Sequence, residues 1–369
     1  MSATLKSAYA GKTVLVTGHT GFKGSWLTAW LLNLGARVVG ISNGIPTQPS
    51  MFTVIGLEKR ISHHVADVRD LAAVKSIIAA EKPDYVIHLA AQAIVSLSYK
   101  DPVETVSTNV IGTMNVLEAL RGYFKACAVL LITSDKCYDN VEWEWGYREN
   151  DRLGGKDVYS GSKGAAELII RSYVDSFFRG EGEKVRIGIC RAGNVVGGGD
   201  WATDRIVADC MRAWSKGEAV EIRSPKATRP WQHVLEPLSG YLALGMALAG
   251  GALHGEAFNF GPRAEQSHTV LDLLSEIAAR WGHSDVEKAV RVTANVPFHE
   301  AGLLKLSCDK ALFHLKWEPT LIYPETVEFI SDWYIGYYKN KDDMYALTNR
   351  QIADYEKAAV ERGRQWAGA

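Results

Sequence analysis

Two hydrophobic periods take turns along the first half of the chain. Thr13-Val14-Leu15-Val16-Thr17 is an uninterrupted β-branched run, the pattern of a strand buried on both faces. Trp26, Leu27, Trp30, Leu31 and Leu34 then recur at three- and four-residue spacing, which predicts an amphipathic helix ending at Gly35. The exchange continues. Strands are expected at Arg37–Ile41, Ser62–Ala66, Tyr85–Leu89, Ala128–Thr133 and Val185–Arg191, with helices at Asp70–Ala80, Pro102–Gly122 and Val158–Phe178. Such βαβ alternation predicts an α/β fold, a mainly parallel, doubly wound sheet with right-handed crossovers.

Beyond about residue 192 the beat is lost. A helix at Glu236–Leu248 and a strand at Ala257–Phe260 are legible, and Asp354–Arg364 reads as an exposed, charged end. No linker rich in Pro, Gly or Ser separates the halves. The expected organisation is one domain over residues 10–191, joined again by 233–261, and a smaller mixed α/β lobe from 192–232 and 262–369.

Composition narrows the class. At 369 residues the chain holds one large unit or two joined ones, and 47 % hydrophobic with 22 % charged residues is ordinary for a globular protein. A net charge of -1 argues against a generic nucleic-acid or membrane-surface binder. Residues 1–12 lack the apolar core of a signal peptide, and the glycine-broken run Leu242–Leu253 reads as a core helix rather than a membrane span. The five cysteines form no CxxC pair and read as reduced core residues of a cytoplasmic protein. No metal site is expected: zinc-ligand spacing is absent, and the strand neighbours His63 and His64 point to opposite faces.

Candidate chemistry gathers where the strands end. Gly18, Gly21 and Gly24 follow the first strand at GxxGxxG spacing. They permit a tight turn, backbone approach to a pyrophosphate and close helix packing, the makings of a dinucleotide-binding loop. Tyr159 and Lys163 lie four apart on one helix face, where an ammonium would stabilise a phenolate and draw the tyrosine pKa toward neutrality. Asp67, Ala90-Ala91-Gln92, Ser134-Asp135-Lys136 and Asn194 follow the third, fourth, fifth and sixth strands. Ligands of such sheets bind at the carboxyl ends of the strands, so one shared site is expected.

With the glycine loop, Tyr159/Lys163, Asn109-Val110-x-Gly112 and Arg191-Ala192-Gly193-Asn194 all present, the chain resembles the extended short-chain dehydrogenase/reductase superfamily. Within it the chain resembles the CDP-glucose 4,6-dehydratases. The passages that carry this are Thr17–Trp26, Thr133-Ser134-Asp135-Lys136-Cys137-Tyr138, Arg229–Pro237, and His299-Glu300-Ala301 with Leu304-Lys305-Leu306. Asp135-Lys136 decides the reaction class, since related dTDP-glucose dehydratases have Asp-Glu there and the 4-epimerases lack the pair. The resemblance implies a Rossmann-type fold and five catalytic residues. Tyr159 would take the proton of the sugar 4-hydroxyl, Ser134 would hydrogen-bond that oxygen, and Lys163 would hold the nicotinamide ribose. Asp135 would act as acid and Lys136 as base in the loss of water across C5 and C6. Asp135 must then carry a proton and Lys136 lack one, a state that burial favours and their mutual attraction opposes.

Cofactor contacts are expected from Gly18, Thr20, Gly21, Phe22, Lys23, Gly24, Ser42, Asn43, Asp67, Val68, Leu89, Ala90, Ala91, Asn109, Thr133 and Arg191, besides Tyr159 and Lys163. No carboxylate ends the second strand; Ser42 and Asn43 suit a ribose diol or tolerate a 2′-phosphate, leaving NAD and NADP open, and the resemblance implies NAD. Asp67 either reads the adenine edge or caps the following helix. Substrate contacts are expected from Gln92, Ser134, Asn194, Arg205, Arg229, Trp231 and His233, with Trp201 either stacking on the base or sitting in the core. Other nucleotide sugars (dTDP-, GDP- or UDP-linked), a sugar-nucleotide epimerase or a non-catalytic nucleotide sensor are the competing readings. Apolar surplus on the helices 102–122 and 158–178, with the pairing seen in the superfamily, predicts a homodimer across a two-fold axis.

Overall fold

A computed structural model of the protein describes residues 4–263, 268–293 and 303–368, apart from the side chain of Arg229. The dissected passage His299-Glu300-Ala301 lies outside the described residues. Six strands run as read from the pattern: β1 Thr13–Thr17, β2 Arg37–Ser42, β3 Ser62–Val65, β4 Tyr85–His88, β5 Cys127–Ile132 and β6 Val185–Ala192. With the strand Ala257–Phe260 they form one sheet, in the order Ala257–Phe260, β6, β5, β4, β1, β2, β3. Every pairing in it is parallel.

Strand alternation sorts the core onto two faces. Val14 and Val16 of β1 join Trp26, Trp30, Leu244 and Phe258 on one side. Leu15 joins Val39, Val86, Leu117, Leu131 and Ile170 on the other. The helices Phe22–Asn33 and Leu235–Ala249 cover the first face; Leu71–Glu81, Gly112–Leu120 and Val158–Phe177 cover the second.

Three departures from the sequence pattern matter. The segment 102–122 is not one regular helix: Pro102–Val106 and Gly112–Leu120 flank a π turn, Ser107–Ile111. Outside the seven-stranded sheet the described strands have two or three residues, such as Val220–Ile222 paired in parallel with Val290–Val292, too short to leave an alternating pattern. The C-terminal end is not simply exposed. Met344–Glu361 buries Leu347, Ile352, Tyr355 and Ala359, and Trp366 beyond it is buried too. Glu356 accepts a 2.8 Å bond from Trp30 Nε1 in the helix after the glycine loop.

One buried carboxylate fastens this end to the sheet layer. Glu236 accepts from the Thr320 and Leu321 backbone N–H groups and from the Tyr355 hydroxyl, at 2.6–3.0 Å. Burial pushes its carboxyl up to about 7, against the pull of those bonds.

Candidate active site

The glycine loop is tight for measurable reasons. Gly18 has φ +73°, and a Cβ there would lie 2.8 Å from the Ala90 backbone at the end of β4. A Cβ on Gly24 would meet the Gly18 carbonyl oxygen at 2.2 Å. The loop can therefore close only with glycine at both positions. Gly21 precedes the helix Phe22–Asn33 and makes no side-chain cap, so the first N–H groups of that helix keep no cap partner from it. The Thr20 and Ser42 hydroxyls lie 2.7 Å apart and both donate to Gly44 O, joining the loop to the end of β2.

Asp67 is not the helix cap; Asp70 is, accepting from Ala73 N. The Asp67 carboxylate instead holds Arg69 through Nε at 3.0 Å and Nη2 at 2.6 Å and accepts from Asn43 Nδ2 at 3.4 Å. Arg69 beside it draws the Asp67 carboxyl down to about 2, and Glu104 takes the other side of that guanidinium. Val68 is buried against Gly112, where a Cβ would come within 2.7 Å of its methyl.

Asn109, inside the π turn, is a positioning group. Its Oδ1 accepts from Gln92 N at 2.9 Å, and its Nδ2 donates to Gln92 O and to Ser162 Oγ. Ser162 in turn donates to Tyr159 O at 2.7 Å. The loop after β4, carrying Leu89, Ala90 and Ala91, is thus tied to the helix that carries Tyr159 and Lys163. The Gln92 side chain is turned to the helix Pro102–Val106 and its own loop, donating to Thr105 Oγ1 and accepting from Ile94 N.

At the end of β5 the backbone makes one 3₁₀ turn, Asp135–Cys137. Ser134 Oγ accepts from Lys136 N at 3.2 Å and donates to Asp135 Oδ1 at 2.9 Å. Lys136 Nζ lies 3.8 Å from Asp135 Oδ2; the acid is buried while the ammonium keeps access to a cavity. Tyr159 is buried and bonded to Ser134. Its phenol does not fall toward neutrality as the Tyr159/Lys163 spacing suggests. Burial raises it, with the Ser134 bond and then Arg205 opposing. The Lys163 ammonium stands 5.9 Å from the tyrosine ring centre, and burial lowers that ammonium to about 8.

Arg191 has no freedom to meet a cofactor. Nε and Nη2 each lie 2.8 Å from Glu167, and Nη1 donates to Tyr138 OH and Glu149 O. Tyr138 donates onward to Asn259, and Thr133 Oγ1 donates to Glu167 at 2.5 Å. Glu167, Tyr138 and Asn259 were not among the expected site residues. Glu167 carried a signal, standing four residues past Lys163 on one helix face, with an arginine inside an apolar strand to neutralise.

The cavity, about 340 Å³, runs from Lys136, Tyr138 and Ser160 past Asn194 and Arg205 to Glu221, Arg223 and Trp231. His233 is not part of its wall. The imidazole is fully buried, edge-on to Trp26 and Phe329, because its short strand turns it into the core. Trp201 is likewise core, against Trp333 and Tyr337. Arg229 lies in the short strand Thr228–Arg229, and its side chain is outside the described residues. His19 was also missed: its ring packs over Gly40 and bonds His63 at 2.7 Å.

A family model described as GDP-mannose 4,6 dehydratase matches residues 15–329. A CDP-glucose 4,6-dehydratase of Salmonella typhimurium is 46% identical over 96% of this chain and 99% of that protein. A dTDP-glucose 4,6-dehydratase of Xanthomonas campestris is 25% identical over 88% of this chain and 93% of its own length. Among solved structures, the dTDP-glucose 4,6-dehydratase DesIV of Streptomyces venezuelae, solved with NAD bound, superposes with a TM-score of 0.75. It is 20% identical, and the match covers 89% of this chain and 99% of that one. Among the described residues no helix is long and apolar enough to cross a membrane.

Proposed function

The chain belongs to the GDP-mannose 4,6 dehydratase family, and we propose that it converts CDP-D-glucose to CDP-4-dehydro-6-deoxy-D-glucose with loss of water. The observation that carries the reading is the Asp135-Lys136 pair beside Ser134 and Tyr159 in one cleft, together with the 46% identity to a CDP-glucose 4,6-dehydratase. NAD, when bound, would supply the hydride acceptor for C4 and the hydride donor for C6. The residues handle protons and position. Tyr159 removes the 4-hydroxyl proton while Ser134 holds that oxygen, and Lys163 holds the ribose. The 4-ketone acidifies C5, whose proton passes to Lys136 from the cavity side. Asp135 protonates the departing 6-hydroxyl. Gly193 leaves room for this, since a Cβ there would stand 3.3 Å from Asp135 Oδ2. Asn194 and Arg205 on the cavity wall are suited to the diphosphate.

NAD rather than NADP is supported by charge. The loop fits a dinucleotide through the close approaches at Gly18 and Gly24. Beside Asn43 stands the Asp67 carboxylate, kept ionised by Arg69, which would repel a 2′-phosphate. The Arg69 guanidinium is already shared between Asp67 and Glu104.

Association through two helices belongs to the same reading. Val103 is 77% and Leu168 54% exposed, with Val106, Ile111 and Phe177 also open. The C-terminal lobe leaves them uncovered, so a second copy is the proposed cover. Incubation with CDP-, dTDP-, GDP- and UDP-glucose, scored for a 4-keto product, tests the function. Turnover of CDP-glucose foremost is expected. A preference for another base would overturn the substrate, and no product from any would overturn the dehydratase.

A further inference from the structure

The far end of the cavity holds a side-chain pair to which the reaction as described gives no role. With the sugar at Lys136 and the diphosphate at Asn194 and Arg205, the nucleotide base falls at the end walled by Asp204, Glu221 and Arg223. Asp204 is held there in two ways. Its backbone has φ +57°, a left-handed conformation that few side chains other than aspartate and asparagine adopt readily. Its Oδ2 accepts from Ser96 Oγ at 2.5 Å, which ties the carboxylate to the segment after β4. Oδ1 lies 3.5 Å from Arg223 Nη2, beyond the roughly 2.7–2.9 Å of a charge-assisted hydrogen bond. Both side chains are 41% exposed. An anchored acceptor and a fork of donors thus stand side by side without using up each other's capacity. Glu221 lines the same end, but among the described residues no side chain anchors it.

That arrangement has a chemical complement. Cytosine offers an amine donor at N4 and acceptors at N3 and O2, whereas uracil and thymine offer an acceptor at O4 and a donor at N3. A carboxylate oxygen accepts from the cytosine amine, and the adjacent guanidinium N–H groups donate to N3 and O2. Against uracil the same carboxylate meets the O4 acceptor, and a guanidinium donor meets the N3 donor. We propose that Asp204 and Arg223 are the base-reading pair of this site, selecting cytosine over uracil and thymine, with Ser96 as the positioning residue for the carboxylate. This rests on the CDP-glucose reading above and names the residues that carry its base preference.

The test is binding, read separately from turnover. Kd for CDP and for UDP is measured by calorimetric titration with NAD present, because the two ligands share ribose and diphosphate and differ only at the base edge. Wild type should bind CDP at least on the order of tenfold more tightly than UDP. In Asp204→Asn, which keeps the left-handed backbone and an acceptor for Ser96, that ratio should fall toward one, since an amide can turn a donor to O4. Arg223→Met should weaken CDP more than UDP. A preference that survives in Asp204→Asn would overturn the pair. Equal weakening of both nucleotides in Arg223→Met would make Arg223 a phosphate anchor and overturn it too, as would a ratio that collapses only in Glu221→Gln. Should Asp204→Asn lose its circular-dichroism melting transition, Arg223→Met decides. A wild type that prefers UDP, or neither nucleotide, would overturn the CDP-glucose reading itself, a result distinct from a preference that outlasts the substitutions.

Discussion

Two acid–base pairs lie beside one cleft, and they are built to opposite ends. Glu167 and Arg191 are 2 % and 0 % exposed, joined by two 2.8 Å bonds, with both Nη1 donors of the guanidinium taken by Tyr138 and Glu149. Asp135 and Lys136 meet at 3.8 Å, and Lys136 is 31 % exposed toward the cavity. The first pair is buried and multiply bonded, out of reach of a ligand in the cavity. It is a pillar under β5 and β6. The second pair is incompletely engaged, which leaves a base within reach of a ligand. Within one site, charge alone does not mark a catalytic residue; the unsatisfied geometry does.

Substitution in the open pair should give the largest effect, and on rate alone. Lys136→Met and Asp135→Asn are expected to lower turnover on the order of 10²–10⁴-fold, as loss of an acid or base does. C4 oxidation uses Tyr159, so reduced nicotinamide should accumulate and absorb in the near ultraviolet. Loss of that absorbance in both variants would dissolve the distinction between oxidation and dehydration residues. In the closed pair, Arg191→Met strands a buried carboxylate and should cost about 3–5 kcal/mol of stability. Urea unfolding that matched wild type would show the pillar to be dispensable.

A third buried carboxylate sharpens the contrast through pH. The Glu236 carboxyl sits at about 7 when folded against 4.5 ordinarily. Between those values the unfolded chain has already lost the proton that the folded one retains. Stability from this group is thus complete below about 4.5 and declines as pH rises, by roughly 3 kcal/mol at neutrality and above. Glu236→Gln should flatten the fall in urea midpoint from pH 5 to pH 7.5. An equal slope in the variant would place the titration elsewhere. Smallest is the effect at the surface. Leu168→Arg should leave the fold and the cleft intact and shift the mass seen by light scattering from twice 40.5 kDa toward one chain. A wild type already at one chain would remove the dimer.

How much of this was legible depends on whether a feature is local. The run 13–17 reads as a strand because β-branched side chains favour a pleated, buried surface wherever they lie. The same holds for β4 through β6, and the glycine spacing at 18, 21 and 24 follows from one turn. Ser134, Asp135 and Lys136 were expected at the site because strand ends in a doubly wound sheet share one edge, and Tyr159 and Lys163 because they lie four apart on one helix face. What failed was non-local. Arg191 looks like a site residue until Glu167 and Tyr138 are beside it. His233 adjoins cavity residues in sequence, and a two-residue strand turns it inward. The spacing of Tyr159 and Lys163 suggests a lowered phenol, but burial depends on the whole cleft closing around it. The described strands outside the seven-stranded sheet are too short for any period to show.

The π turn at Ser107–Ile111 also bears on which chain lengths the fold accepts. Gly112 N bonds Ser107 O, five residues back rather than four, so this turn holds one residue more than a regular helix. Thr113 Oγ1 donates to Asn109 O at 2.7 Å, taking up a carbonyl beside the widened turn. Loss of one residue here would restore an ordinary helix, which local propensity favours. It would leave the helices on either side nearly in phase but redirect the side chains of the turn itself. Asn109 would leave Ser162 and Gln92, and the loop after β4 would part from the helix of Tyr159. Insertions and deletions that the neighbouring surface absorbs should therefore be excluded at this turn, where a surplus residue aims Asn109 at both halves of the cleft.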